Sequence, residues 1–224
     1  MKREIILTED GSSTIFLPEW HECYHSTHGA VNESNHIFIE AGLKHVLSMF
    51  SSIRILEVGL GTGLNAFLTA MNTTEPHHTI YYMGIEPFPI SDEESVALHY
   101  AESSGFSAHD DCFRKIHAAG WDKESQILPH FTLRKTLGRI EDVLLEDDSF
   151  HLVYFDAFAP MVQPELWQKN IFEKLGRAMK PGGILVTYSC KGDVKRALKE
   201  SGFTIEKLPG PIGKREFIRA TKAI

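Results

Sequence analysis

Apolar residues fall into short unbroken runs separated by amphipathic stretches. IRILEV (53–58), TIYYMGIE (79–86), FHLVYFD (150–156) and GILVTYSC (183–190) are nearly continuous apolar segments of strand length. Runs of this kind fit strands buried on both faces of a parallel sheet. Between them lie LNAFLTAMN (64–72), SDEESVALHYAESSG (91–105), PELWQKNIFEKLGRAMK (164–180) and DVKRALKESG (193–202), which read as helices. Ser91-Asp-Glu-Glu opens the second with a capping series, Gly105 and Gly202 end two of them, and the PGG at 181–183 breaks the third before its strand. FTLRKT (131–136) predicts a strand, RIEDVLL (139–145) a short helix, and a helix is expected around 110–119; the rest of 106–130 has no clear period. At the start, EIILT and STIFL predict short strands, PEWHECYHSTHGA a loop, and Ile37, Ile39, Leu43, Val46 and Leu47 a helix over 33–49 with spacing near 3.6. FTIEKL and REFIRATK end the chain as two strands.

Strands alternating with helices from residue 53 onward predict an α/β fold, a doubly wound and mostly parallel sheet. Two consecutive strands at the end predict an antiparallel hairpin at the sheet edge, which marks the Rossmann-like methyltransferase type over a plain dinucleotide-binding sheet. Residues 1–50 are expected to form a small β/helix extension, or lid, packed on the main domain of residues 51–224.

Composition changes little. The 224 residues are 42% hydrophobic and 24% charged, ordinary for a globular protein. No apolar stretch is long enough to span a bilayer, no signal-peptide pattern opens the chain, and Cys23, Cys112 and Cys190 form no C-x-x-C pair. A reduced, cytoplasmic protein without membrane contact is expected. Charge adds more. The net charge is −7, yet residues 191–224 hold nine Lys/Arg against four Asp/Glu. Such a basic tail either meets phosphates or is a solvated lysine-rich helix.

Three acids stand at strand ends. Glu57 precedes Gly59, Gly61 and Gly63, a G-x-G-x-G turn running into a helix at Asn65. This is not the G-x-G-x-x-G of a pyrophosphate binder, and an acid before it suits a ligand carrying an ammonium. S-adenosylmethionine has an α-amine and no phosphate. Glu86 ends the second parallel strand, about twenty residues on, where a carboxylate suits a ribose diol. Asp156 ends a third, and Phe158, Ala159 and Pro160 follow it at once.

GLGTGLN, IEPFPI (85–90), YFDAFAPMVQPELW, PGGILVTYS and GKREFI, with YHSTHGAVNESNHIFIEAG (24–42) before them, occur in an order and spacing that resemble the methyltransferase domain of the tRNA 5-methylaminomethyl-2-thiouridine biosynthesis bifunctional protein (MnmC) family. The resemblance implies methyl transfer from S-adenosylmethionine to an aminomethyl group on carbon 5 of the wobble uridine, in the anticodon region of tRNA. It implies a stand-alone methyltransferase form with neither flavin nor metal, whose amine is supplied by a separate enzyme or by another route. It adds Tyr24, Ser26 and Glu33 to Glu57, the three glycines, Asn65 and Glu86 as cofactor-binding positions, and makes Asp156 the catalytic acid that manages the ammonium and its proton. Phe158 and Pro160 either wall a flipped pyrimidine or plug a turn, whereas Trp167 reads as core. Lys191, Lys195, Arg196, Lys214 and Arg215 are the candidates for tRNA phosphates. One departure is Gly138-Arg139, where the family often has Gly-Asp: Arg139 cannot accept a hydrogen bond from an adenine amino group, so Glu141, Asp142 or a backbone carbonyl must.

His21, Cys23, His25 and His28 are metal-ligand types within nine positions, but their spacing fits no zinc pattern. Rival functions are an aminopropyltransferase of the spermidine synthase kind, a small-amine methyltransferase, and a non-catalytic tRNA-binding module.

Overall fold

The computed structural model describes residues 2–73 and 78–223. The first strands, β1 (Glu4–Leu7), β2 (Ser13–Leu17) and β3 (Glu22–Cys23), form a three-stranded antiparallel sheet. A helical rod follows: α1 (Ala30–Ser34), a π-helical stretch over Asn35–Leu43, and α2 (Lys44–Leu47). The regular 3.6 spacing expected here is replaced by wider turns. Ile37, Phe38 and Ile39 are three consecutive buried residues, and with Gly42 and Leu43 they form the buried side of the π-helical stretch.

The remaining elements are β4 (Ser52–Val58), α3 (Leu64–Met71), β5 (Thr79–Glu86), α4 (Asp92–Ala97), α5 (Tyr100–Ser103), α6 (Asp110–Ala118), β6 (Glu124–Leu128), β7 (Phe131–Leu137), β8 (Phe150–Phe155), α7 (Lys169–Ala178), β9 (Met179–Thr187), α8 (Gly192–Glu200), β10 (Phe203–Pro209) and β11 (Glu216–Lys222). Strands β4 to β11 make one eight-stranded sheet in the order β10-β11-β9-β8-β4-β5-β7-β6. The five from β9 to β7 are parallel, and β6 and the β10–β11 hairpin are antiparallel at the two edges. The expected fold class and terminal hairpin are thus present.

Alternation along each strand sorts the core into two layers. Ile53, Ile55, Tyr82, Leu152, Tyr154 and Val186 pack with α3, α6 and the π-helical rod. Leu56, Met83, Ile85, Val153, Phe155 and Leu185 pack with α7, α8 and the hairpin. After β4 the chain winds one way to β5 and later the other way to β8, so the crevice at their carboxyl ends is a topological switch point, the usual ligand position in such sheets. Val58 lies opposite both Ile85 and Phe155, which sets the three strand ends side by side.

Several local expectations are corrected. The helix over 91–105 is two helices: Ser91 and Glu94 form a capping box, but His99, at φ 51°, interrupts the rod. The segment 139–145 is a series of turns, in which the amides of Asp142 and Val143 both donate to the Arg139 carbonyl and buried Ile140 anchors the loop. The helix over 164–180 splits into a 3-10 turn (Pro164–Trp167) and α7, with extended Gln168 between them. Strand β9 starts at Met179 and runs through the PGG, where its register with β8 shifts. Strands β3 and β6 have no counterpart in the elements expected from the apolar pattern.

Candidate functional site

The glycine loop begins where β4 ends. The amides of Gly59 and Leu60 both donate to the Ile85 carbonyl (3.0 Å each), and the Asp156 amide donates to the Val58 carbonyl (3.0 Å). Gly59 adopts φ +88°, and a Cβ there would lie 2.6 Å from the Asp156 carbonyl oxygen. Only glycine allows this approach, so the loop and the acid-bearing strand end are locked together.

Above them opens a cavity of about 440 Å³, walled by the glycine loop, Glu86, the Asp156–Ala159 segment, Tyr188, the 21–28 segment and the β10–β11 loop. Six carboxylic acids line it, Glu22, Glu33, Glu86, Glu141, Asp156 and Glu165, against two cations, Arg139 and Lys214. That surplus favours cationic ligands and disfavours phosphates.

Glu86 is buried in the wall and accepts from the backbone amides of Gly61 (2.9 Å) and Phe88 (2.7 Å). Burial raises its pKa, and those two hydrogen bonds oppose the rise. Each oxygen keeps a lone pair for a further donor. Asp156 accepts from Asn65 Nδ2 (2.9 Å). Burial chiefly, then the charge of Glu33, pushes its pKa up to about 7, while Asn65 and Lys214 pull it down. Glu33 is buried, accepts from the Ser26 amide (2.8 Å) and pairs with Lys214, whose ammonium also lies 4.4 Å from the Tyr188 ring centre. Phe158 meets Tyr24 and Trp20 edge-on, at 5.0 and 5.4 Å between ring centres. Trp167 is core, as expected, and donates from Nε1 to the Phe158 carbonyl (2.8 Å). Tyr188 donates to the Ala157 carbonyl (2.8 Å).

The structure therefore brings Tyr24, Ser26, Glu33, Gly59, Gly61, Asn65, Glu86, Asp156 and Phe158 to one cavity. Others move. Glu57 is fully buried beneath the wall, with both oxygens engaged, by Tyr82 (2.7 Å) and Asn65 (2.9 Å). Gly63 lies behind the loop as the left-handed cap of α3. Ala159, not Pro160, reaches the wall. Lys214 is drawn inward by Glu33 and is no free surface cation. Lys191, Lys195, Arg196 and Arg215 lie outside the wall, and Arg196 pairs with Asp193 (3.2 Å). The basic tail is further neutralised by the pairs Lys207–Glu216, Arg219–Glu206 and Lys222–Asp148. At the end expected to take adenine, Arg139 lies 6.0 Å from the Phe88 ring centre, and Glu141 has a buried Oε2 without a partner among the described residues.

Sequence reasoning missed Tyr188, which read only as part of an apolar strand, and weighed His25 only as a metal-ligand type. The His25 ring sits within reach of the Thr14, Thr62 and Tyr100 hydroxyls (3.3, 3.4 and 3.4 Å), and burial lowers its pKa to about 4. Among the described residues no three His, Cys, Asp or Glu side chains converge as metal ligands, and no helix is long and apolar enough to cross a membrane.

Residues 113–223, just under half of the chain, match the model of a family described as S-adenosyl-L-methionine-dependent methyltransferase. The tRNA 5-methylaminomethyl-2-thiouridine biosynthesis bifunctional protein MnmC of Magnetococcus marinus is 30% identical over 215 residues, which cover 92% of this chain and 32% of that protein. The chain thus spans about a third of the length of the curated relatives it matches. The crystal structure of MNMC2 from Aquifex aeolicus superposes with a TM-score of 0.75 at 25% identity, covering 99% of this chain and 70% of that one. Spermidine synthase from Thermotoga maritima shares the fold, with a TM-score of 0.61 at 10% identity over 98% of this chain and 68% of its own. The resemblance to the MnmC family holds over nearly the whole chain, in sequence and in fold.

Proposed function

We propose that this chain, a relative of S-adenosylmethionine-dependent methyltransferases of the MnmC family, transfers a methyl group from S-adenosylmethionine to the 5-aminomethyl group of the wobble uridine in tRNA, giving the 5-methylaminomethyl form. The observation that carries this reading is the acid-rich cavity joining Glu86 and the glycine loop to Asp156.

Its residues fit the donor. A surplus of carboxylates suits a sulfonium and an α-ammonium, Glu86 retains acceptor capacity for a ribose diol, and the unpartnered Oε2 of Glu141 suits an adenine amino group. When bound, S-adenosylmethionine supplies a methyl group on a sulfur that leaves as a neutral thioether. The acceptor is the harder partner, because an alkylammonium has no free lone pair. Asp156 attracts that ammonium and takes its proton. A carboxyl group titrating near 7 is well matched to such a transfer, being ionised at slightly alkaline pH yet basic enough to hold the proton. Phe158, braced by Trp20 and Tyr24, offers an apolar edge for the uracil ring. The tRNA backbone stays outside the acidic wall, where Lys191, Lys195 and Arg215 are the cations nearest this role.

Nucleoside mass spectrometry tests the reading. The protein is incubated with S-adenosylmethionine and tRNA bearing 5-aminomethyluridine. A mass gain of one methyl group on that nucleoside, lost in Asp156→Asn, supports it. No gain on tRNA, or transfer of an aminopropyl group to a free amine from decarboxylated S-adenosylmethionine, overturns it.

A further inference from the structure

Glu57 looks, from its place before the glycine loop, like a ligand-binding acid, but it never reaches the cavity. Its side chain projects from β4 into the layer under α3 and is fully buried. Tyr82 donates to Oε2 at 2.7 Å and Asn65 Nδ2 donates to Oε1 at 2.9 Å. Neither donor carries a charge, and among the described residues Glu57 forms no ion pair. Asn65, itself 2% exposed, uses the same nitrogen to donate to Asp156 Oδ2 at 2.9 Å.

That shared nitrogen decides the amide's orientation. Two carboxylates accept from it, so turning the amide over would set its oxygen against both. The orientation holds although Asn65 Oδ1 is left buried without a partner among the described residues. Such an uncompensated polar atom in a native site marks a constraint imposed by its neighbours. Here the constraint is the pair of acids, Glu57 and Asp156, on adjacent parallel strands.

We propose that Tyr82, Glu57 and Asn65 form a positioning chain that fixes the Asp156 carboxylate, and that Glu57 serves the reacting acid through Asn65 and makes no contact with a cofactor. Glu57 holds the amide, and the amide holds Asp156 Oδ2, which leaves Oδ1 for an incoming amine. The role of Asp156 rests on the function proposed above; the positioning does not. The titratable groups facing Asp156 are Glu33 from α1, Lys214 from the β10–β11 loop, Glu57 from β4, Tyr82 from β5 and Tyr188 just past β9, with Asn65 from α3 as the neutral donor. A variant at Glu57 or Asn65 leaves the first two in place.

The experiment follows the Asp156 carboxyl carbon by NMR in protein labelled with ¹³C-aspartate, assigned by its loss in Asp156→Asn. It needs no substrate, so it stands whether or not the tRNA reading does. In Asn65→Leu the carboxylate loses a donor, and its titration should move up by about one pH unit. In Glu57→Gln the amide lock is released, but the mutual repulsion of the two acids is lost as well, so the Asp156 titration should move down. Tyr82→Phe, which removes one hydroxyl from Glu57, serves if either variant fails to fold, and should also displace the titration. S-adenosylmethionine affinity, measured by calorimetry, should stay within about threefold of wild type in Glu57→Gln, since less than about 0.7 kcal/mol is then at stake. An unmoved Asp156 titration in the folded variants overturns the proposal, as does a tenfold loss of cofactor affinity in Glu57→Gln with the titration unchanged.

Discussion

Replacing Asp156 by asparagine should stabilise the protein, and more at pH 8 than at pH 5. The aspartyl group has an ordinary pKa of 3.8 and one of about 7 in the folded chain, raised first by burial and then by Glu33. A folded-state pKa above the unfolded one means that the native protein binds the proton more tightly. Ionisation therefore costs stability that is intact below about pH 4, is lost as pH rises toward 7, and stays lost above it. At about 1.4 kcal/mol per pH unit, the penalty is roughly 2 kcal/mol at pH 5 and about 4 kcal/mol at pH 8. The second figure is an upper bound, because Asp156 faces an open cavity in which water screens part of its charge. Asparagine cannot ionise, nearly matches the shape, and can still accept from Asn65. Urea unfolding of both proteins at pH 5 and pH 8 measures the gap directly. The variant should gain about 2 kcal/mol more at the higher pH. An equal gap at both values, or a variant less stable at pH 8, would refute the assignment of a raised native pKa. The same substitution should abolish methyl transfer, so stability and activity change in opposite directions at one atom.

Gly59→Ala should weaken S-adenosylmethionine binding at least tenfold by calorimetry, because a Cβ at φ +88° costs roughly 1–2 kcal/mol and strikes the Asp156 carbonyl 2.6 Å away; affinity within twofold of wild type would contradict the locked approach. Lys214→Met removes the partner of buried Glu33, leaving only the Ser26 amide, and should cost about 3 kcal/mol in urea unfolding. The same change removes the charge that holds the Asp156 pKa down, so the acid limb of the kcat/KM profile should move to higher pH, and a stationary limb would count against a shared wall.

The sheet was legible because its central strands are continuous apolar runs, and IRILEV, TIYYMGIE and FHLVYFD pair as their patterns require. Periodicity did not reveal that the helix over 91–105 breaks at His99, since that break lies in one residue's left-handed backbone and not in the spacing of apolar positions. That Asp156, Glu86 and the glycine loop meet at one cavity was readable from their places at strand ends. Glu57 was misplaced for a physical reason: adjacent positions in a strand face opposite layers, so a residue two places before the loop can still point away from the cavity. The basic tail misled similarly. A count of charges cannot show that Lys214 meets an acid 181 positions earlier or that Arg219 and Lys207 close on their own hairpin.

That separation bears on the order in which the protein is completed. The Lys214–Glu33 pair spans 181 positions, well beyond the 97 that separate Ile55 from Leu152 where β4 pairs with β8. Loop closure over such distances comes late in folding. A refolding chain can thus regain its sheet while the Glu33–Lys214 side of the acid wall is still open. Recovery of catalysis will lag behind recovery of the sheet, and a sequence change that slows docking of the N-terminal segment or the hairpin will lengthen that delay without touching a single reacting group.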